Sequence, residues 1–164
     1  MRGVHERSTH TRTVIPEALG TALLRVIDPP VAVIGLGIPR CPATILLPAS
    51  LTRVANARPD LPIALAILAS PADWANRETL LWPRGIHISR SLVPVLVILR
   101  DGQEVATRRG GAPAHVIDAW LTEHIGPGAA ALAQHLSDDE QCELSQLAVR
   151  RAQHAAVNGR GTTD

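Results

Sequence analysis

The residue best suited to chemistry in this chain is Cys41, within the run Pro39-Arg40-Cys41-Pro42-Ala43-Thr44. The thiolate, not the thiol, is the nucleophile, and an unperturbed cysteine ionises near pH 8.5, roughly. A neighbouring positive charge favours the thiolate, and Arg40 supplies one. Such a thiolate attacks disulfides and forms a mixed disulfide. The opposite reading also fits the residue type, because cysteine is often buried as a small, inert hydrophobe. Only one other cysteine is present, Cys142. Two cysteines do not make a disulfide framework, and cytoplasmic thiols are normally reduced.

Other reactive residue types are scattered. His5 and His10 stand near the N-terminus, and His87, His115, His124, His135 and His154 are spread over the rest. None has metal-ligand spacing with a cysteine, so no metal is expected. Ser70 and Ser137 precede helical patterns and read as caps rather than nucleophiles. Gly35-x-Gly37 lacks the third glycine and the later acid of a dinucleotide fingerprint, so no cofactor is expected.

These residues must be positioned by the elements around them. Residues 1–13 read as a disordered tail, and a domain spans 14–127. Pro16 suits the first position of a helix that carries Leu19, Leu23, Val26 and Ile27 and stops at Asp28-Pro29-Pro30. VAVIGLG (31–37) and IALAILA (63–69) are short apolar runs, as in strands buried on both faces. A helical pattern over 45–57 joins them, with Pro48 expected to kink it or delay its start. Strands joined by a helix should be parallel. Ser70-Pro71 opens a helix bearing Trp74, Leu80 and Leu81, and 84–92 is polar and irregular. Residues 93–101 and 103–109 read as a hairpin turning at Asp101-Gly102. An amphipathic helix follows over 112–125. The expectation is an α/β fold, a mixed sheet of about four strands with helices on both faces. Residues 128–164 form an extension, with a helix expected from Ser137 to about Val157 through a Ser137/Glu140 capping box.

Composition narrows the function. The 164 residues carry a net charge of +1, all sixteen basic residues being Arg, with 2% aromatic residues. Neither a strong basic field nor stacking aromatics favour nucleic acid. Arg108-Arg109 and Arg150-Arg151 read as solvated pairs. No run approaches the roughly 18 apolar residues of a membrane span, and the polar N-terminus lacks the apolar region of a secretory signal. A cytoplasmic location is expected.

The order of elements and three local signatures resemble the thioredoxin family over roughly residues 14–125. Pro39-Arg40-Cys41-Pro42-Ala43-Thr44 after Gly37 is similar to the family's Pro-Trp-Cys-Gly-Pro-Cys loop, with the second cysteine replaced by Thr44. Val93-Pro94 before an apolar strand resembles the family's cis-proline, opposite the active site. Asp101-Gly102, Glu104-Val105 and Gly111-Ala112 before the last helix resemble the closing hairpin and helix. The resemblance implies a three-layer fold, with Cys41 at a helix N-terminus where N–H groups and the helix dipole favour negative charge. It implies that the Thr44 hydroxyl reaches the sulfur, and that Val93 backbone groups pair with a substrate chain. Departures accompany it. Ile34 stands where the family buries an Asp, Arg40 replaces a Trp, and Arg90 occupies a usually apolar place.

Two readings follow from the resemblance. In one, Cys41 performs monothiol thiol–disulfide exchange on protein or glutathione disulfides, with Arg40, Thr44, Val93 and Pro94 around it. In the other, the fold is a non-catalytic chaperone or binding module for a client protein. The chain is similar, in size and in its degenerate motif, to the thioredoxin-fold group that assists maturation of the small subunit of nickel–iron hydrogenases.

Overall fold

The computed structural model describes residues 11–128. The C-terminal helix expected over 137–157, Cys142 and the tail before residue 11 lie outside the described residues. The elements run β1 (Pro16–Glu17), α1 (Leu19–Val26), β2 (Val31–Gly37), α2 (Pro42–Ala57), β3 (Ile63–Ile67), α3 (Pro71–Leu80), β4 (Val95–Arg100), β5 (Gln103–Arg109) and α4 (Ala114–Ile125). A short 3-10 turn at Trp82–Arg84 follows α3. The sheet has five strands rather than about four, in the order β1-β3-β2-β4-β5. The β1/β3 and β3/β2 pairs are parallel, and β2/β4 and β4/β5 are antiparallel.

The fifth strand comes from Pro16, which the sequence reading placed in a helix. Pro16 and Glu17 instead pair with Leu65 and Ala66. Proline donates no N–H to a ladder, which an edge strand tolerates, so one residue type serves either role. Helix α1 therefore starts later, with Ala18 as its N-cap. Arg12, assigned to the tail by the sequence, is held. Its N–H donates to Asn56 Oδ1 at 2.9 Å, Asn56 Nδ2 donates back to its carbonyl, and its guanidinium reaches the Pro59 and Leu61 carbonyls at 3.0 Å.

The central strands are apolar throughout because both faces of the sheet are covered. Their side chains divide with a period of two. Val33, Leu65, Leu96 and Ile98 pack with Leu47, Leu51 and Val54 of α2 and Ile117 and Leu121 of α4. Ala32, Ile34, Leu36, Ala64, Ala66, Val95, Val97 and Leu99 pack with Leu19, Leu23 and Val26 of α1 and with Leu81, Ile86 and Ile88. Gly35 belongs to the first layer. A Cβ there would stand 2.9 Å from the Leu65 side chain, so close packing accounts for this glycine.

The hairpin turns where the sequence places it. Asp101 and Gly102 both have positive φ, 51° and 74°, the conformation that two-residue hairpin turns require. Ile98 pairs with Ala106 but Leu99 with Glu104, so Val105 is the extra residue of a bulge in β5. Ser70 caps α3 through a reciprocal box with Asp73, and Pro71 takes the first turn. Among the described residues no helix is long and apolar enough to cross a membrane.

Candidate functional site

The site begins with where the strands end. Gly37 of β2 pairs with Ile67 of β3, and the Leu68 N–H donates to the Gly37 carbonyl. Val95 opens β4 opposite Leu36, and Arg109 closes β5 opposite Val95. One edge of the sheet thus gathers the loop 38–41, the start of α3, the Val93–Pro94 segment and the chain after Arg109. The Val93–Pro94 peptide bond is cis. The Gly110 N–H donates to the Pro94 carbonyl at 2.8 Å. A Cβ on Gly111 would stand only 2.5 Å from the Ala43 carbonyl oxygen. Through these two glycines, Pro94 and the first turn of α2 are brought to within one short segment of each other.

Helix α2 starts at Pro42, three residues before the sequence pattern suggested, with Cys41 as its N-cap. Pro42 explains the difference. Its fixed φ suits the first helical position, where no N–H is needed. Pro48 lies inside the helix without dividing it. Arg40 precedes the cap with φ of 61°, a left-handed conformation that is costly for a residue with a Cβ.

Cys41 is partly exposed and unpaired. As a neutral thiol it makes no capping hydrogen bond. Its thiolate is favoured, and the pKa lies below the ordinary value. The Thr44 N–H contributes most, then the Thr44 hydroxyl, with a smaller part from the Ala43 N–H, while partial burial opposes them. Arg40 is not among the causes. It is exposed, where water and salt screen its charge. Of the three groups the sequence reading put around the sulfur, the helix-end N–H groups and the Thr44 hydroxyl favour the thiolate, while Arg40 is too exposed to do so. Thr44 itself is buried, 5% exposed, and its Oγ1 accepts from the Ile38 N–H at 3.4 Å. Gly37 makes room for it, since a Cβ on Gly37 would fall 2.5 Å from Thr44 Cγ2.

Neither a family model nor a curated protein is similar enough in sequence to match the chain. Solved structures do match. Thioredoxin f2 of Chlamydomonas reinhardtii superposes with a TM-score of 0.52 at 16% identity, over 70% of this chain and 98% of that one. Reduced desulfothioredoxin from Desulfovibrio vulgaris Hildenborough gives 0.50 at 19% identity, over 68% and 99%. A chain from the complex of ferredoxin:thioredoxin reductase with thioredoxin f2 gives 0.52 at 14% identity, over 68% and 94%.

The chain has the thioredoxin fold.

On this thioredoxin fold, Cys41, Thr44, Val93 and Pro94 meet at one edge of the sheet, and Arg40 adjoins them. Val93 is half-buried and Pro94 buried. Ile34, which the resemblance placed where the family buries an Asp, is fully enclosed in the apolar layer facing α1, on the opposite side of the sheet from α2 with its Cys41 and Thr44. Exposed Ile45 and Leu46 flank the cysteine on the first turn of α2. Among the described residues no group of three or more His, Cys, Asp or Glu is placed to hold a metal.

Sequence reasoning missed several residues of this edge. Gly37 and Gly111 set the approach of α2, yet from sequence they marked only a strand end and a hairpin end. Trp74 lies under two guanidinium groups, those of Arg77 at 5.5 Å and Arg90 at 5.3 Å. Neither arginine carried a signal in the sequence beyond the departure noted at Arg90.

Proposed function

We propose that this thioredoxin-fold protein carries out monothiol thiol–disulfide exchange through Cys41. The observation that carries the reading is the position of Cys41 as N-cap of α2, partly exposed, with its thiolate favoured by Thr44 and Ala43. The Cys41 thiolate attacks one sulfur of a disulfide. A new S–S bond forms at Cys41, the old one breaks, and the displaced sulfur leaves as a thiolate. With Thr44 in the place of a resolving cysteine, release falls to an external thiol, from a protein or glutathione. That thiol attacks the adduct and returns Cys41 as thiolate. Val93 precedes the cis peptide bond and offers backbone groups to an extended substrate chain. Protein partners suit the exposed Ile45 and Leu46. They suit also the occurrence of a similar fold in a complex with ferredoxin:thioredoxin reductase.

A second reading, a non-catalytic chaperone or binding module, is favoured by β2, whose residues on the α2 face, Val33 and Gly35, carry no titratable side chain and so provide no proton relay. The two readings separate on the pH dependence of Cys41 alkylation by iodoacetamide in a Cys142→Ser background. An apparent pKa clearly below about 8.5 supports exchange. An ordinary or inaccessible thiol would sink it and leave the binding module.

A further inference from the structure

The edge of the sheet that bears Cys41 is unevenly charged. Arg40 precedes the cysteine, Arg108 and Arg109 close β5 beside the Pro94 segment, and Arg77 and Arg90 flank Trp74. Among the described residues none of these five arginines makes an ion pair, and Nε of Arg77 and of Arg108 meets no acceptor although buried from solvent. The nearby acids are committed or few. Asp73 accepts from the Ser70 and Ala69 N–H groups in the cap of α3. Glu17 holds Arg25 at 2.6 Å on the far edge strand. Glu104 of β5 accepts from the Thr107 hydroxyl, and Glu78 is exposed on α3 next to Arg77.

The pair on Trp74 is the most ordered part of this charge. Each guanidinium lies within about 6 Å of the ring centroid, the range of a cation–π contact. One ring thus holds two like charges, and neither guanidinium is spent on an ion pair among the described residues. Guanidinium N–H groups in this arrangement suit carboxylates, which they bind in bidentate fashion. Trp74 lies on α3, which starts at the Cys41 edge, and Arg90 lies four residues before Pro94. The Leu68 N–H donates to the Gly37 carbonyl just before α3 begins, so the cluster lies at the same end of the strands as Cys41.

We infer that the Arg77–Trp74–Arg90 cluster is a docking surface for acidic segments of the partner protein, selecting disulfides flanked by Asp or Glu. The inference rests on the exchange reading for its chemistry but not for its binding. The partner's carboxylates meet Arg77 and Arg90, and Arg109, opposite Val95 on the same side of the sheet as Trp74, extends the field. Such a field raises the rate of encounter and weakens as salt is added.

The test uses two peptides that differ only in Glu or Gln on both sides of one cysteine, each as its 2-thiopyridyl mixed disulfide. The Cys41 thiolate attacks the peptide sulfur, the peptide becomes bonded to Cys41, and neutral pyridine-2-thione is released and counted by absorbance. In the full chain with Cys142→Ser, the Glu peptide should react about tenfold faster at low salt. The advantage should fade at high salt and in the Arg77→Gln/Arg90→Gln variant, while plain dipyridyl disulfide reacts equally with both proteins. Equal rates for the two peptides, or a preference that survives the double substitution, overturns the inference. If dipyridyl disulfide itself fails to react, the exchange reading fails. The docking surface is then decided by fluorescence anisotropy with labelled Glu and Gln peptides whose cysteine is serine. Tighter binding of the Glu peptide, lost in the double variant, supports the surface. Equal binding overturns it.

Discussion

Cys41 owes its character to two hydrogen-bonding groups of one residue. Thr44 supplies both the N–H and the hydroxyl that favour the thiolate. Thr44→Val keeps the shape and removes the hydroxyl. The apparent pKa from iodoacetamide kinetics should then rise, though not to the unperturbed value, because the Thr44 N–H remains. Arg40→Ala should leave that pKa in place, since water and salt screen the exposed guanidinium. A large upward shift in Arg40→Ala would contradict the assignment. The same logic applies to the cap of α3. The Asp73 pKa is lowered, first by the Ser70 N–H. A depressed carboxylate adds stability above its unfolded value, near 3.8, and that stability is lost as pH falls through the lower folded value. Ser70→Ala should cost about 1 kcal/mol by urea denaturation at neutral pH. Part of that difference should disappear in strong acid, where Asp73 is protonated in either protein.

At the scale of elements, the closest approach is between the segment after β5 and the first turn of α2. Gly111 sits so near the Ala43 carbonyl that any side chain must move backbone. Gly111→Ala should therefore cost about 1–3 kcal/mol in urea denaturation, as overpacking does. It should also alter the alkylation rate of Cys41 by displacing the helix end. Gly110 has φ of 82° with open space around it, so the cost of Gly110→Ala arises from the backbone conformation and not from a clash. At the other end of α2, Arg58 is buried, 5% exposed, and ties the helix to α4. It bonds Asp118 at 2.7 Å, Thr122 at 2.9 Å and the Gly126 carbonyl at 2.9 Å. The helix that presents the thiol is thus fixed at both ends.

For the molecule as a whole, the central question is what the two apolar layers leave room for. Ile34 is fully buried in the apolar layer that faces α1. Ile34→Asp, which puts a carboxylate into this layer, should destabilise by about 4 kcal/mol or more, the outcome for an unpaired buried carboxylate. Ile34→Val should cost about 1 kcal/mol. Chemical denaturation of the two variants separates the effects. A well-tolerated Asp would show that this layer is wetter than its residues imply. The charge asymmetry also belongs to this scale, because no single element holds it. Arg40, Arg77, Arg90 and Arg108-Arg109 come from four separate stretches of chain.

The strands, the hairpin and the amphipathic helices were legible in the amino-acid sequence because their causes are local. Apolar runs of five to seven residues mark a sheet covered on both faces, as at Val31–Gly37. Asp101-Gly102 is one of the few dipeptides that accept two positive φ values. Ser70-Pro71 marks a helix start through the chemistry of the first turn, whereas the same signal at Cys41-Pro42 was overlooked in favour of the apolar pattern from 45. Pro16 misled because the lack of an N–H suits an edge strand as well as a helix start, and only its pairing with β3 chose between them. Cys41 was visible as a thiol, and the resemblance implied helix-end N–H groups and the Thr44 hydroxyl beside it, but not that the Thr44 N–H would matter more than Arg40. Arg40 is its neighbour in sequence, whereas the direction of the Thr44 groups depends on where α2 begins. The meeting of Gly111 with Ala43, of Gly110 with Pro94 and of Arg90 with Trp74 was decided by tertiary structure alone. Such contacts join residues far apart in the chain, and their geometry follows from strand order and register rather than from any local preference.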